Sequence, residues 1–595
     1  MKHFKTAMMF FALLAGPSLL ALGTSKDAIT NESLFSEGGI IGLIILSLVV
    51  VLALIIILLS RIGKLTFDLA TRETKTRQQE IDEALETLSE SQVDRLISRQ
   101  NYFKFRVTGD ELGGTEKPSD DRGLVSKLVK NLGPRITAEK RKNTTQASIE
   151  PEHRRLILGF IVTATFWLVF GSAIGEYLGI KFVAPELDKV SWLSFGRLRP
   201  VHTNTVFWGW ASLGMIGLGY HVVPRTSNTN LFSYKIGWIS LISINLAVIL
   251  GNICLMAGIN NGGGEYREYI WPVALLFATG LALTIYNYYQ TIAKRKTTEI
   301  YVSNWYIMGA GIWTLILVTI AYLPFYQDGL GETIIQGYLM HQAVGMWFMT
   351  FTLGLVYYYL PRALNKPIYS YSLGVLAFWT QMLFYTLIGT HHFLFSPVPW
   401  WLQTVAIVFS IGMFIPVTAG TANFLLTIKG SWKMISDSYV LPFLFIGVIF
   451  YFVGSSQGSL QAFRFTSVIW HFTDFNVAHS HITMYGIISI FLWGFMYYLM
   501  PTITGRNPKE VLVGMHFWLA VIGLLLYVFP LMIGGTLKGL SWLNEEPFIS
   551  SVVLMVPYWI WRAIGGSFMF LSHIVFAYNV YYMMKGPTLK IDNVK

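Results

Sequence analysis

Six of the twelve histidines in this sequence lie inside long apolar segments, close to the same end of each segment. Histidine is the commonest metal ligand in proteins. Ionisable side chains placed in hydrocarbon are costly, and they are retained there mainly for function. We therefore interpret these six residues as metal ligands: His202, His341, His391, His392, His479 and His481.

The spacing of these histidines indicates more than one kind of metal site. On a helix, His479 and His481 diverge by about 200°, so they face two different metals from opposite sides. His391 and His392 diverge by about 100°, and they can share one ion only if another helix supplies a third ligand, for which His341 is suitably placed. Three imidazoles suit copper, whereas one or two axial histidines suit haem iron. The pattern predicts one metal with three histidine ligands and two planar metal groups.

The segments that carry the histidines are predicted to be membrane-spanning helices. Of the 595 residues, 53% are hydrophobic and 13% are charged, whereas charged residues make up about 25% of a typical soluble protein. Apolar runs of about 20 residues, long enough to cross a bilayer, recur along the chain. We predict an all-α, polytopic membrane protein with a twelve-helix core. Its spans are at about 155–178, 201–223, 233–257, 272–293, 303–325, 335–360, 371–394, 401–428, 438–460, 476–500, 511–534 and 555–584.

The loops between these spans alternate in charge. Lysine and arginine gather in every second loop, for example at Lys294 and Arg506, and the intervening loops carry acidic residues such as Glu265 and Asp328. By the positive-inside rule, the basic loops and both ends of the core face the cytoplasm, and the six histidines lie near the outer surface. This asymmetry accounts for the net charge of +11 without nucleic acid as a partner.

The N-terminal part of the chain differs from the core. Residues 7–23 have the character of a signal peptide or a short first span, and residues 39–60 that of a firm span. Residues 1–60 are therefore expected to contribute one or two spans. Residues 61–152 are polar and carry both charges, as expected for a cytoplasmic segment that is partly helical and partly disordered. The twelve-helix core follows over residues 153–590.

Five short motifs surround the candidate ligands. They are Arg-Leu-Arg-Pro-Val-His-Thr-Asn at 197–204, His-Gln-Ala-Val-Gly at 341–345, Gly-Thr-His-His at 389–392, His-Phe-Thr-Asp at 471–474 and His-Ser-His at 479–481. Together they resemble subunit I, the catalytic subunit, of the cbb3-type cytochrome c oxidases in the haem–copper oxidase superfamily. The resemblance covers about residues 153–585.

The resemblance implies which group each histidine binds. His202 and His481 correspond to the two axial ligands of low-spin haem b, and His479 corresponds to the proximal ligand of high-spin haem b3. The copper ion, CuB, is then held by His341, His391 and His392.

A tyrosine completes the site by the same resemblance. Tyr385 lies six residues before His391, where the family has a tyrosine joined covalently to a copper-ligand histidine, here His341. On a continuous helix Tyr385 would also share a face with His392, two turns further in. A phenol in that position can supply a proton and an electron when the O–O bond breaks.

Charged residues near the outer ends of the spans are candidates to hold the haem propionates, because arginine suits bidentate contact with carboxylates. In the family, a glutamate of an outer loop also contributes a calcium ligand linked to the propionates, and Ca²⁺ prefers oxygen donors. Glu265 matches that glutamate better than Glu268 does. The propionate candidates are Arg197, Arg199, His471, Asp474 and Arg562.

The resemblance implies a terminal respiratory oxidase that reduces O₂ to water, coupled to proton translocation, as a multi-pass protein of a bacterial-type inner membrane. Cys254 is the only cysteine, so the chain lacks the C-x-x-C-H motif that attaches c-type haem. Electrons are therefore expected from haem-c-bearing oxidase subunits and a cytochrome c-type donor.

Three residues depart from the family's proton route. Gln457 stands where the family has a glutamate, and Gly374 and Ala377 stand where it has a Ser/His pair. A neutral amide cannot relay protons as a carboxylate does, so proton delivery is expected to use other groups. The candidates, together with ordered water, are Tyr369, Ser370, Tyr371 and Thr386.

Two other functions would also need histidines in a membrane. A nitric oxide reductase of the same superfamily would use non-haem iron, with a carboxylate near the histidines and no tyrosine. Here the residues from Gln342 to Thr350 include no acid, and Tyr385 is present. A proton-coupled transporter with a histidine relay would show inverted repeats and histidines at several depths. The sequence therefore favours oxygen and copper.

Overall fold

The computed structural model describes residues 149–585, apart from 298 and 325–327, and the isolated positions 89 and 91. The predictions for residues 1–60, and almost all of those for 61–152, lie outside the described residues. Every regular element in the described part of the chain is helical, which confirms the all-α fold class.

Within the described residues the core consists of twelve helices, labelled α1 to α12 in chain order. Eleven of the described helices are long and apolar enough to cross a membrane. The exception is α7, which has only 15 residues. The bounds are α1 Pro151–Lys181, α2 Phe195–Thr226, α3 Tyr234–Ala257, α4 Trp271–Ala293, α5 Val302–Ala321, α6 Gly329–Leu364, α7 Tyr371–Tyr385, α8 Trp400–Ile428, α9 Leu441–Gln461, α10 Asp474–Thr504, α11 Glu510–Leu543 and α12 Phe548–Met584.

The seventh span is shorter than the sequence predicts. A helix over 371–394 was expected, but α7 ends at Tyr385 and the chain continues into a separate 3-10 turn, Gly389–Phe393. The turn lies against α6, where a β-carbon on Gly389 would stand 2.6 Å from Tyr338 Cα. Only glycine permits so close an approach between the two backbones. This approach brings the end of α7 beside the histidine of α6.

Three helices form the centre of the bundle. In the most apolar 18-residue stretch of each helix, 94% of the residues are buried inside the protein in α2 and α6, and 89% are buried in α10. In the other eight spans the buried share is 28–50%. The same three helices carry His202, His341 and the pair His479 and His481. The candidate ligands therefore project from the innermost helices.

Each central helix contains a π-helical segment on the inner side of its histidine. The three segments are Thr205–Ala211 in α2, Ala343–Met349 in α6 and Ile482–Ser489 in α10. Such segments make i→i+5 backbone bonds and occur frequently at functional sites.

A side-chain hydroxyl at the end of each segment supports the wider turn. Ser212, Thr350 and Ser489 each donate a hydrogen bond of 2.9–3.0 Å to the carbonyl five residues earlier. These hydroxyls also link the central helices, because Trp347 Nε1 donates to Ser212 Oγ and Trp210 Nε1 donates to Ser489 Oγ. The widened turns are thus held by both local and interhelical bonds.

Candidate metal centre and adjoining cavities

Three histidines meet at one point between α6 and the turn after α7. His341 Nδ1 is 2.9 Å from His392 Nε2 and 3.0 Å from His391 Nε2. Lone pairs on three neutral imidazoles would repel one another at such distances unless a cation or a proton lay between them. The His391 ring is oriented by Ser410, whose Oγ is 2.7 Å from its Nδ1. The donor set and its geometry fit one metal ion, and three imidazole nitrogens suit copper.

The nitrogen of His341 that does not face the other histidines has no hydrogen-bond partner in the part of the chain that the structure describes. This atom is Nε2, and the His341 ring centroid is 5.3 Å from that of Tyr385. The Tyr385 ring packs directly on α6 at Gly345, where any β-carbon would overlap it. Glycine at this position therefore lets the phenol lie beside the three-histidine cluster. The proximity predicted for Tyr385 is present, although a break in the helix rather than a shared helix face produces it.

The three-histidine cluster and Tyr385 line a first cavity of about 260 Å³. His479 from α10 and His471 from the preceding loop also line it. The first cavity therefore joins the candidate copper ligands with two further imidazoles, of which His479 is the one predicted to be a ligand.

A second cavity of about 370 Å³ lies on the other face of α10. His202 and His481 line it, and neither of them lines the first cavity. His479 lines only the first, so the two histidines separated by one residue on α10 open into different spaces, as their angular divergence predicts. A cavity with a histidine from each of two helices has the donor set for a haem iron with two axial ligands.

The three candidate ligands outside the cluster, His202, His479 and His481, share one feature, a hydrogen bond at Nδ1. His202 Nδ1 is 2.7 Å from the Gly171 carbonyl, and His481 Nδ1 is 2.8 Å from the Val477 carbonyl. In both cases the partner is an acceptor, so Nδ1 carries the proton and Nε2 keeps its lone pair. Partners of this kind fix the tautomer and ring orientation of metal-bound histidine. Both residues are therefore oriented to offer Nε2 as a ligand.

His479 is oriented by a side chain instead of a carbonyl. Its Nδ1 is 3.0 Å from Gln457 Oε1, and the amide nitrogen of Gln457 is 3.7 Å from the sulfur of Met532. The sequence suggested only that Gln457 interrupts a proton route. Its contact with a candidate ligand was not anticipated.

Charged side chains surround the outer part of the second cavity. Arg199, Asp474, Lys538 and Arg562 line it. Asp474 accepts a hydrogen bond from Lys538 Nζ at 3.0 Å and another from Trp559 Nε1 at 3.1 Å. Lys538 was missed because a single lysine in an apolar run resembles an interfacial charge.

One predicted propionate contact lies elsewhere. Arg197 lines neither cavity, and its guanidinium donates to the Met256 carbonyl at 3.1 Å. It therefore satisfies the C-terminal end of α3, where carbonyls lack helical partners.

The two glutamates considered as calcium ligands both lie in the loop before α4, but their surroundings differ. Glu265 lines both cavities and forms an ion pair with Arg199. Glu268 is buried away from them and accepts a hydrogen bond from Asn204 Nδ2 at 3.0 Å. Burial raises the pKa of the Glu268 carboxyl to about 6, although the bond from Asn204 opposes that rise. Of the two, only Glu265 is positioned to contribute an oxygen ligand where the cavities meet.

Two residues at the boundary between the cavities have left-handed backbones. Tyr266 and Phe472 line both cavities, with φ of 66° and 64°. This conformation is uncommon outside glycine and is strained in a bulky residue. Such strain persists where the surroundings fix it, often at functional sites.

Comparison with known proteins agrees with this geometry. The family model for cytochrome c and quinol oxidase polypeptide I matches residues 155–568. The chain is 29% identical over 447 residues to the cbb3-type cytochrome c oxidase subunit CcoN1 of Stutzerimonas stutzeri, a match covering 72% of this chain and 94% of that one. It is also 29% identical to a cytochrome c oxidase subunit 1 homolog of Agrobacterium tumefaciens, over 71% of this chain and 81% of the relative.

A solved structure shows the same fold. A heme-copper terminal oxidase dimer determined by cryo-EM superposes with a TM-score of 0.64 at 14% identity, over 75% of this chain and 86% of that one. The family match spans most of the chain and all of the candidate ligands. The protein is thus a multi-pass, membrane-embedded oxidoreductase, and it belongs to the haem–copper oxidase subunit I family, whose members bind haem and copper.

Proposed function

We propose that this chain is the catalytic subunit of a cbb3-type terminal oxidase, which reduces O₂ to water with electrons from a cytochrome c-type donor. The observation that carries the proposal is the first cavity, where the three-histidine cluster, the imidazoles of His479 and His471, and Tyr385 line one space. When bound, the two haems and the copper supply the redox chemistry. In this assignment the low-spin haem b has His202 and His481 as ligands, the high-spin haem b3 has His479, and CuB has His341, His391 and His392.

Tyr385 has the chemical role of a proton and electron donor in this proposal. Its ring is buried beside His341, whose Nε2 is left without a partner when Nδ1 points to the metal position. That free nitrogen is the atom available for a covalent link to the tyrosine ring. A linked phenol is held at a fixed distance from the site, so it delivers its proton and electron without first having to move.

We propose that protons reach Tyr385 from the cytoplasmic side by way of α6 and α7. Gln381 lies one turn inward of Tyr385, and its Nε2 donates to Thr350 Oγ1 at 2.6 Å. Thr350 donates in turn to the Gly345 carbonyl beneath the phenol, at 2.9 Å. Both side chains are fully or almost fully buried. Gly374 and Ala377 offer no hydrogen-bonding side chain there.

Two of the earlier candidates for the proton route are engaged elsewhere. The Tyr371 hydroxyl donates to the Ile300 carbonyl, and the Thr386 hydroxyl donates to the Leu383 carbonyl in an exposed position. These contacts support Gln381 and Thr350 as the inner polar groups of the route, where they would order water that carries the protons, because a neutral amide does not relay protons itself. Proton translocation across the membrane is part of the same proposal.

Charged residues at the outer side are assigned to the haem propionates. Arg199 and Arg562 line the second cavity and offer guanidinium donors that match carboxylates. His471 lines the first cavity, and Asp474 orients Lys538. Glu265 is the candidate Ca²⁺ ligand. Since Ca²⁺ takes six to eight oxygens, Glu265 would supply only one or two of them.

The chain is proposed to work in a bacterial inner membrane with haem-c-bearing subunits. It carries no second cysteine with which to attach c-type haem, so its electrons must arrive from another polypeptide. The outer position of the candidate ligands supports delivery from the periplasmic side, which follows from the positive-inside rule.

Purification of the intact complex from membranes tests the proposal. We expect two non-covalent b-type haems and one copper per copy of this chain, together with oxygen consumption driven by reduced cytochrome c. Iron in place of copper, with turnover of nitric oxide and none of oxygen, would establish a nitric oxide reductase instead. The three-histidine cluster includes no carboxylate among the described residues, which favours copper. A complex without haem would refute the proposal.

A further inference from the structure

Several buried histidines have no role in the proposed chemistry, and two of them, His516 of α11 and His573 of α12, both contact Trp493. Their exposed fractions are 0% and 3%. Neither ring nitrogen of His573 has a hydrogen-bond partner among the described residues, and the same is true of His516 Nε2. Buried polar atoms are nearly always hydrogen-bonded, to ordered water when protein groups are lacking. Ionisable residues in membrane spans mark proton relays and ligand pathways.

His573 connects these histidines with the second cavity. It lines that cavity together with the candidate haem ligands His202 and His481. Its ring centroid is 5.4 Å from that of Tyr485 and 5.5 Å from that of Trp493. Trp493 is fully buried, and its indole N–H has no partner either.

His516 lies beyond Trp493, on the inner side. The ring centroids of Trp493 and His516 are 4.7 Å apart, so the indole adjoins both imidazoles. His516 Nδ1 is 3.0 Å from the Tyr497 hydroxyl. The His516 ring therefore contacts the Tyr497 hydroxyl through Nδ1, while its Nε2 has no partner among the described residues.

Further hydrogen-bonded groups connect Tyr497 with the inner surface. Asn579 Nδ2 donates to the Tyr497 hydroxyl at 3.4 Å, and Asn579 Oδ1 accepts from the backbone N–H of Lys509 at 3.3 Å. Lys509 is exposed in the basic loop between α10 and α11. Polar groups thus follow one another from this loop to the second cavity, through an interface that is otherwise aromatic and aliphatic.

No fixed charge faces His516 among the described residues whose rings contact it. Those neighbours are Phe443 from α9, Trp493 and Tyr497 from α10, and Phe576 from α12. Tyr497 is the titratable group among them, and His573 is the next one, beyond Trp493. A proton on His516 would therefore be the main mobile charge in this region.

We propose that Tyr497, His516 and His573 form a proton line, through which one proton enters from the inner surface when an electron reaches the low-spin haem. The inference rests on the proposed function, since it assumes a haem between His202 and His481. The electron comes from the donor and lowers the charge of the haem by one. The proton comes from cytoplasmic water and converts the His516 imidazole to imidazolium, so that the net charge of the region is unchanged. The line is distinct from the route to Tyr385, which lies on α6 and α7.

The test is the midpoint potential of the low-spin haem in the purified complex, measured at intervals between about pH 5 and about pH 8. One proton taken up per electron changes the equilibrium tenfold per pH unit, which corresponds to about 59 mV. We expect the unmodified complex to show a falling potential as pH rises. His516→Phe should remove at least half of that slope and keep the haem spectrum, because its neighbours are already aromatic.

Two further variants make the result decisive. His516→Gln retains a polar contact for Tyr497 but cannot hold the proton, so it should lose the slope even if His516→Phe does not assemble. His221→Phe is the matched control, because His221 is also buried with an unpartnered nitrogen but lines neither cavity. It should keep the slope.

Two outcomes overturn the inference, namely a potential that does not depend on pH in the unmodified complex, or an unchanged slope in His516→Gln. A complex without a six-coordinate low-spin haem spectrum would refute the proposed function itself, which keeps the two failures distinct.

Discussion

The imidazole of His479 is bonded at Nδ1 to the amide oxygen of Gln457, at 3.0 Å. An acceptor at this position increases the electron donation of a ligating histidine, and a carboxylate does so more strongly than an amide. The glutamine therefore makes His479 a weaker donor than the family's glutamate would. Gln457 therefore influences the redox potential of the haem that His479 would hold.

The first prediction concerns this hydrogen bond. Gln457→Glu should leave the enzyme active and lower the midpoint potential of the high-spin haem by on the order of tens of millivolts, because the ferric state gains the stronger donor. Gln457→Leu should raise the potential and weaken the iron–histidine stretching band in resonance Raman spectra. Equal potentials in all three proteins would show that the bond does not influence the haem.

The second prediction concerns Tyr385. Tyr385→Phe should retain both haems and the copper, yet slow oxygen reduction by at least about 100-fold, the range expected for loss of a positioned proton donor. Peptide mass analysis of the unmodified chain should show a covalent link between His341 and Tyr385 that the variant lacks. Tyr451→Phe, a buried tyrosine that lines neither cavity, serves as the control. Near-normal oxygen consumption in Tyr385→Phe would contradict the assigned chemistry.

The third prediction separates the two haem positions. His202→Ala should remove the low-spin haem signal and leave the high-spin haem and copper, because His202 lines only the second cavity. His479→Ala should do the reverse, with loss of carbon monoxide binding in the reduced state. Absorption spectra at low temperature resolve the two signals. Loss of the high-spin signal alone in His202→Ala would mean that the two faces of α10 are assigned wrongly.

The fourth prediction concerns proton delivery to Tyr385. Gln381→Leu removes the side chain that donates to Thr350, so oxygen turnover should fall about tenfold, which corresponds to an activation barrier raised by about 1.4 kcal/mol. Potentials and spectra of the haems should be unchanged. Thr380→Val is a neighbouring control, since that hydroxyl is exposed and bonds only to its own helix. Full activity in Gln381→Leu would show that protons reach Tyr385 by another route.

The grouping of the six histidines was predictable from the sequence, because imidazoles near one end of apolar segments are rare and their angular spacing on a helix is fixed by geometry. Their roles as ligands stay predictions. The sequence also located α1 to α6 and α8 to α12, since long apolar runs leave little alternative. The end of α7 at Tyr385 was not predictable, because it depends on the close approach of Gly389 to α6, a contact between distant parts of the chain.

Positions of polar side chains were the least predictable part of the site. Arg197 and Arg199 differ by two residues, yet one caps α3 and the other lines the second cavity. The contact of Gln457 with His479 joins α9 to α10, and nothing in either helix alone indicates it. The π-helical segments were missed as well. Their signal, a serine or threonine eight to ten residues after each histidine, is visible only once the bonds are known.

Those three π-helical segments have a consequence for the phase of the helices. Each segment accommodates one more residue per turn than an α-helix does, so it offsets the inner half of its helix from the outer half by about 100°. The outer halves of α2, α6 and α10 are thereby phased to the histidine sites, while their inner halves are free to follow a different packing phase. The tryptophan–hydroxyl bonds that link the helices are made at the segments themselves, where the phase changes. Deleting one residue from a segment would leave either half able to dock correctly, but never both at once.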